Sequence, residues 1–143
     1  MKLQDVLVGK SIDGVFTVSE RETLSGLTKT LGEKRIGAAV VSSTGRDILG
    51  VISERDVITA ICAGGPNCLN DPIERHMTVE VQTADPSETV ERALDRMTTG
   101  RFRHMPVVEG GALIGVVSIG DLVKAQIDAL KAENAALEEF IRS

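Results

Sequence analysis

The chain has 143 residues, 42% hydrophobic and 26% charged, a balance that builds a folded core rather than a disordered or fibrous chain. A formal net charge of −5, three Phe and no Trp or Tyr argue against a nucleic-acid surface, which needs cations for phosphates and rings for bases. No apolar run approaches the roughly 20 residues that cross a bilayer. Asp5 and its polar neighbours interrupt the N-terminus where a signal peptide would be apolar, so a cytoplasmic protein without a membrane partner is expected. Cys62 and Cys68 lack ligand-spaced partners, and neither a metal site nor a disulfide is expected.

Residues 1–14 read as a lead-in, with Val6 and Leu7 available to dock on the body. Val15 to Val18 is a short β-prone run. Ser19 and Glu22 have the spacing of a capping box, and Leu24, Leu27 and Leu31 carry helical spacing to about Lys34. Ile36 to Val41 is a second strand, residues 42–47 a turn-rich loop, and Ile48 to Ile52 a third strand. Ser53 and Asp56 open a helix that Gly64-Gly65-Pro66-Asn67 ends, and a linker runs to about Met77. Both cysteines belong in or near it.

The second pass starts with the alternating Val79 to Thr83, a strand pattern. Asp85, Pro86 and Glu88 supply a helix start, and Val90, Ala93, Leu94 and Met97 its buried face. His104 to Val108 and Leu113 to Val117 form a hairpin across Gly110-Gly111, and Ser118 to Asp121 opens the last helix. The two passes are a duplication. Ser19 and Asp85, Leu31 and Met97, and Val41 and Val107 lie 66 apart; after the hairpin loop Gly50 and Gly115, Ser53 and Ser118, and Asp56 and Asp121 lie 65 apart. Each unit reads β-α-β-β-α. At about 60 residues neither has much core alone, so the halves are expected to pack together.

The two Ser-x-x-Asp pairs allow two readings. Each can be only a helix cap, hydroxyl to backbone N–H and carboxylate on the dipole. Each can also hold a nucleotide, with Asp accepting from ribose hydroxyls and phosphates met by helix N–H groups and by Arg55, Arg101, Arg103 or His104. Gly50 and Gly115 in the preceding strands permit a close backbone approach. His104 reads equally as a structural histidine, His76 as structural, and Arg55 as one partner of a surface ion pair.

Here the sequence resembles a tandem pair of cystathionine β-synthase (CBS) domains, the Bateman module. The matching text is IGAAVV…ILGVISERDV at 36–57 and FRHMPVVEGGALIGVVSIGDLV at 102–123, with VFTVSERETL, VQTADPSETV and the linker's HMT. The resemblance spans roughly residues 3–125. It implies an α/β (α+β) fold in which two β-α-β-β-α repeats pack as a pseudo-two-fold pair with two clefts. The divisions are residues 1–66, the first repeat with its lead-in; 67–125, linker and second repeat; and 126–143, a C-terminal helix.

The resemblance also implies adenosine-containing ligands: AMP, ADP, ATP, S-adenosylmethionine or NAD(H). One cleft would take Thr17, Ile36 and Gly37 with His104, Ser118 and Asp121; the other Thr83, Phe102 and Arg103 with Ser53, Arg55 and Asp56. Met105 joins the ligand-binding set. Asp56 and Asp121 would hold ribose, Ser53 and Ser118 phosphate or sugar oxygens, and Arg55, Arg103 and His104 phosphates. Because Ile36-Gly37-Ala38 stands where the other repeat has Phe102-Arg103-His104, the sites are expected to be inequivalent.

From Val123 the text changes. Val123, Ile127, Leu130, Asn134, Leu137 and Ile141 alternate spacings of four and three, as in a short two-stranded coil with Asn134 fixing register. An amphipathic helix lying on its own domain fits the same pattern. The sequence shows no nucleophile with a nearby base, no metal cluster and no Walker-type loop. The expected function is a non-catalytic, homodimeric adenine-nucleotide sensor signalling to a protein target in trans. The rival is a structural dimerisation module without a physiological ligand.

Overall fold

The computed structural model describes residues 1–8 and 15–143; residues 9–14 of the expected lead-in lie outside the described residues. The elements are α1 (Leu3–Val8), β1 (Thr17–Val18), α2 (Leu24–Lys34), β2 (Ala38–Val41), β3 (Gly50–Ser53), α3 (Glu54–Gly64), α4 (Val90–Gly100), β4 (His104–Glu109), β5 (Ala112–Ser118) and α5 (Ile119–Arg142). Two short 3₁₀ turns, Pro66–Asn70 and Ile73–Arg75, occupy the linker.

The first sheet has the order β1-β2-β3, with β1 parallel and β3 antiparallel to β2. The second sheet is the antiparallel pair β4-β5. The strand expected at Val79 to Thr83 does not form; only Ala84 pairs, as a parallel bridge to Val107. Proline explains the difference. Pro106 stands where the first repeat has Val40, and with no N–H it cannot donate to a carbonyl earlier in the chain, so the ladder stops at Ala84.

Both first helices start later than the capping-box spacing predicts. Thr23 caps α2 by accepting from Gly26 N–H at 3.1 Å, and Thr89 caps α4 by accepting from Arg92 N–H at 3.2 Å. Ser19 and Asp85 instead close turns in which their carbonyls accept from Glu22 and Glu88 N–H. The reason lies in the next contacts: the Glu22 and Glu88 carbonyls are taken by Ile73 and Leu3 N–H, which keeps them out of a helical ladder and delays the helices until the threonines. The ends also match, since Arg35 and Arg101 both close their helices in the left-handed conformation, φ 55° and 57°.

The halves do not share one core. Val18, Leu24, Leu27, Leu31, Val41 and Ile52 centre one cluster; Val90, Ala93, Met97, Met105, Val107 and Leu122 centre the other. Each core receives one fully buried side chain from a segment outside its repeat text, Ile73 in the first and Leu3 in the second. The two segments are held alike. Leu24 N–H donates to Asp71 and Ile73 N–H to Glu22; Val90 N–H donates to Met1 and Leu3 N–H to Glu88. The lead-in therefore docks on the second repeat and the linker on the first.

This arrangement reassigns the two strand glycines. A Cβ on Gly50 would lie 2.7 Å from the Thr78 carbonyl oxygen, and one on Gly115 2.5 Å from Leu7 Cδ2. The close approach they permit is to the linker and to α1, not to a ligand.

Between the repeats, Leu113 N–H donates to the Arg46 carbonyl at 2.9 Å. Asp47 organises the loop that presents it, accepting from the Ser42, Ser43 and Thr44 hydroxyls and from Ser43 and Thr44 N–H. The Ser42 and Ser43 hydroxyls, with the backbone donors, hold the Asp47 carboxyl far below its ordinary value of 3.8. A carboxyl depressed in the folded state stabilises above its unfolded pKa and loses that contribution as pH falls through the folded value. Its side-chain carbon signal in an NMR titration should accordingly stay unprotonated well below pH 3.8, while Asp47→Asn removes the acid-dependent loosening of this loop. A midpoint near the ordinary value would refute the knot.

Candidate functional site

The second helix of each repeat starts as the serine spacing predicts. Ser53 and Ser118 cap α3 and α5, and both capping boxes are closed. Ser53 N–H donates to Asp56 Oδ2 at 2.8 Å and Asp56 N–H to Ser53 Oγ at 3.3 Å; Ser118 N–H donates to Asp121 Oδ2 at 2.9 Å and Asp121 N–H to Ser118 Oγ at 3.1 Å. So capping is real at both sites. It does not exhaust Asp56, which is half-buried and whose Oδ1 accepts from nothing among the described residues. A carboxylate has room for both tasks, one oxygen for the backbone and one for a ligand hydroxyl.

A second conserved geometry within the chain joins each helix start to the preceding strand. The Gly37 carbonyl accepts from Glu54 N–H, and the Arg103 carbonyl accepts from Ile119 N–H, both at 2.9 Å. This brings Ile36 and Gly37 beside α3, and Phe102 and Arg103 beside α5. Across the repeats, a Cβ on Gly37 would lie 3.6 Å from His104 Cε1, so these two residues of the first expected cleft do meet. His104 and Ser118 are strand partners, and Thr17 pairs with Val40 in the neighbouring sheet.

Other assignments come out differently. A cavity of ≈ 500 Å³ borders Ile36 and Gly37, but its further walls are Thr28, Arg35, Glu54 and Val57, not Ser118 or Asp121. A cavity of ≈ 540 Å³ borders Asp56, and linker residues including Asp71, Arg75 and His76 line it rather than Thr83, Phe102 or Arg103. Thr83, Arg55 and Arg103 are exposed, and Phe102 packs against the second core. Met105 has its side chain fully buried in that core, because alternation along β4 points it inward with Val107, and its strand partner is the equally buried Val117. His76 is tied to Asp71 at 2.8 Å, in keeping with a structural role.

Glu54 was not among the expected residues. Its Oε1 would lie 2.5 Å from a Cβ on Gly37, so the carboxylate rests on the glycine at the side His104 approaches. The 65-residue offset pairs it with Ile119, and this comparison is the sequence signal that could have found it. The inequivalence of the repeats thus extends beyond cations: one side carries Gly37 and Glu54, the other Arg103 and Ile119.

The family model described as CBS domain matches residues 8–63 and 73–128. The mitochondrial CBS domain-containing protein CBSX3 of Arabidopsis thaliana is 33% identical over 139 residues, covering 94% of this chain and 68% of that protein. The crystal structure of a CBS-domain protein from Agrobacterium tumefaciens superposes with a TM-score of 0.83 at 36% identity, covering 88% of this chain and 99% of that one. A CBS domain protein of Pyrobaculum aerophilum complexed with AMP shares the fold at a TM-score of 0.73 and 24% identity, over 85% of this chain and 89% of that one.

Proposed function

This chain belongs to the CBS-domain family, with two copies in tandem, and we propose that it is a non-catalytic regulatory module that binds adenosine-containing ligands between its repeats. As a cytoplasmic homodimer it signals their occupancy to a protein target in trans. The observation that carries the reading is Asp56, whose carboxylate caps α3 with one oxygen and keeps the other for a hydroxyl donor. A ribose supplies such donors. The approach of Gly37 to His104 supports a cleft made jointly by both repeats, and the same fold holds AMP in the Pyrobaculum aerophilum protein.

The expected ligand set keeps its two-site form: Thr17, Ile36, Gly37, His104, Ser118 and Asp121 at one, and Ser53, Arg55, Asp56, Thr83, Phe102 and Arg103 at the other. Glu54 beside Gly37 repels phosphate, whereas Arg103 attracts it. Ligands with longer phosphate chains, such as ADP and ATP, therefore belong at the Arg103 site. Isothermal titration of the full chain with AMP, ADP, ATP, S-adenosylmethionine and NAD(H) tests this. At least one should bind, with two inequivalent sites resolved. Silence across the panel would instead support a structural dimerisation module.

A further inference from the structure

We propose that the outer part of α5 is the pairing surface for α5 of a second copy of this chain, in a parallel two-stranded coil. This deepens the homodimer of the proposed function and is independent of any ligand. α5 leaves the body at the fully buried Leu122, and every residue from Ile127 to Ser143 is exposed. The alternative of an amphipathic helix lying on its own domain is therefore not what forms. Ile127 is 46% exposed, Leu130 59%, Leu137 53% and Ile141 80%, and with Val123 they make one seam rather than scattered points.

The seam itself states what covers it. Isoleucine at one heptad position (127 and 141) with leucine at the other (130 and 137) is the combination that favours two parallel strands. Asn134 lies midway between the isoleucines. Buried in a coil, its amide finds a hydrogen-bonding partner of the same kind only when it meets its own counterpart at equal height, which a parallel second copy in register supplies. An antiparallel copy would set it against leucine. Covering the seam in both copies removes on the order of 1,000 Å² from water, the low end of a specific interface, so a reversible dimer is expected.

The flanking charges separate the orientations. In the parallel coil Glu133 lies beside the partner's Glu138; in the antiparallel coil Lys124 takes that place. Sedimentation equilibrium of the full chain should show a dimer that salt tightens. Leu130→Ser with Leu137→Ser should raise its dissociation constant by about a hundredfold. The thermal midpoint of the body should stay unchanged, since both side chains are exposed. Glu138→Lys should tighten the dimer by about two- to fivefold, by turning repulsion into attraction. A parent chain monomeric at all concentrations, a leucine variant that dimerises like the parent, or a weakened Glu138→Lys dimer would each overturn the parallel coil. Ligand titration of the leucine variant keeps this failure apart from failure of the nucleotide reading.

Discussion

Leu3→Ala is expected to cost the second repeat about 2–5 kcal/mol and to leave the first repeat untouched. Leu3 is fully buried among residues of the second core, in a segment otherwise held by two-way hydrogen bonding with Glu88 and Val90. Cutting it to alanine removes most of an apolar side chain from a site whose walls belong to α4, β5 and α5 and cannot easily collapse. Because the two cores are separate, the loss falls on one of them. Unfolding then ceases to be a single cooperative step, and the first component melts at least roughly 8 °C below the parent. Hydrogen exchange gives the sharper measurement: amides of α4, β4 and β5 lose protection while those of α2, β2 and β3 keep theirs. Ile73→Ala should give the mirror image. Uniform loss of protection across both repeats in the Leu3 variant would show that the cores are energetically one.

This exchange of partners marks where sequence reading stops. Helical spacing placed α2 and α4 because their buried faces are local, repeating at Leu24, Leu27, Leu31 and at Val90, Ala93, Met97. The serine caps of α3 and α5 were legible for the same reason, since donor and acceptor lie within four residues. Ser19 and Asp85 misled because their spacing fits a cap, whereas each closes only a single turn and long-range bonds from Ile73 and Leu3 to the Glu22 and Glu88 carbonyls delay the helix by four residues. Leu3 and Ile73 themselves share little local pattern, and their equivalence appears only in what they bond to. Val79 to Thr83 alternates like a strand, yet its fate was decided by Pro106, more than twenty residues away. At the candidate site, strand register and repeat offset brought Gly37 to His104, but Glu54 lay hidden as an ordinary exposed acid at a helix start.

Asp56→Asn should remove ligand-dependent stabilisation at its cleft while lowering the stability of the unliganded chain by no more than about 1 kcal/mol. The two tasks of the carboxylate make the substitution informative. The asparagine carbonyl oxygen still accepts from Ser53 N–H, so the cap survives, with only the charge on the helix dipole lost. The other oxygen becomes an NH₂ group, which cannot accept from a ribose hydroxyl and sets donor against donor. Losing a hydrogen bond to a charged acceptor costs about 1.5–3 kcal/mol, a ten- to hundredfold loss of affinity or more. Asp56→Ala should lose the ligand equally and also the acceptor for Ser53 N–H, while Ser53 Oγ still accepts from the residue-56 N–H, so the pair of variants separates the two functions. At the other cleft, Asp121→Asn should keep the Ser118 N–H bond that Oδ2 accepts and lower ligand affinity there. Thermal shift and titration stoichiometry with a bound adenosine ligand read the result: one site lost in each single variant, both in the double. If the Asp56 and Asp121 asparagine variants bind as the parent does, these carboxylates are caps and nothing more, and the ribose must be held elsewhere.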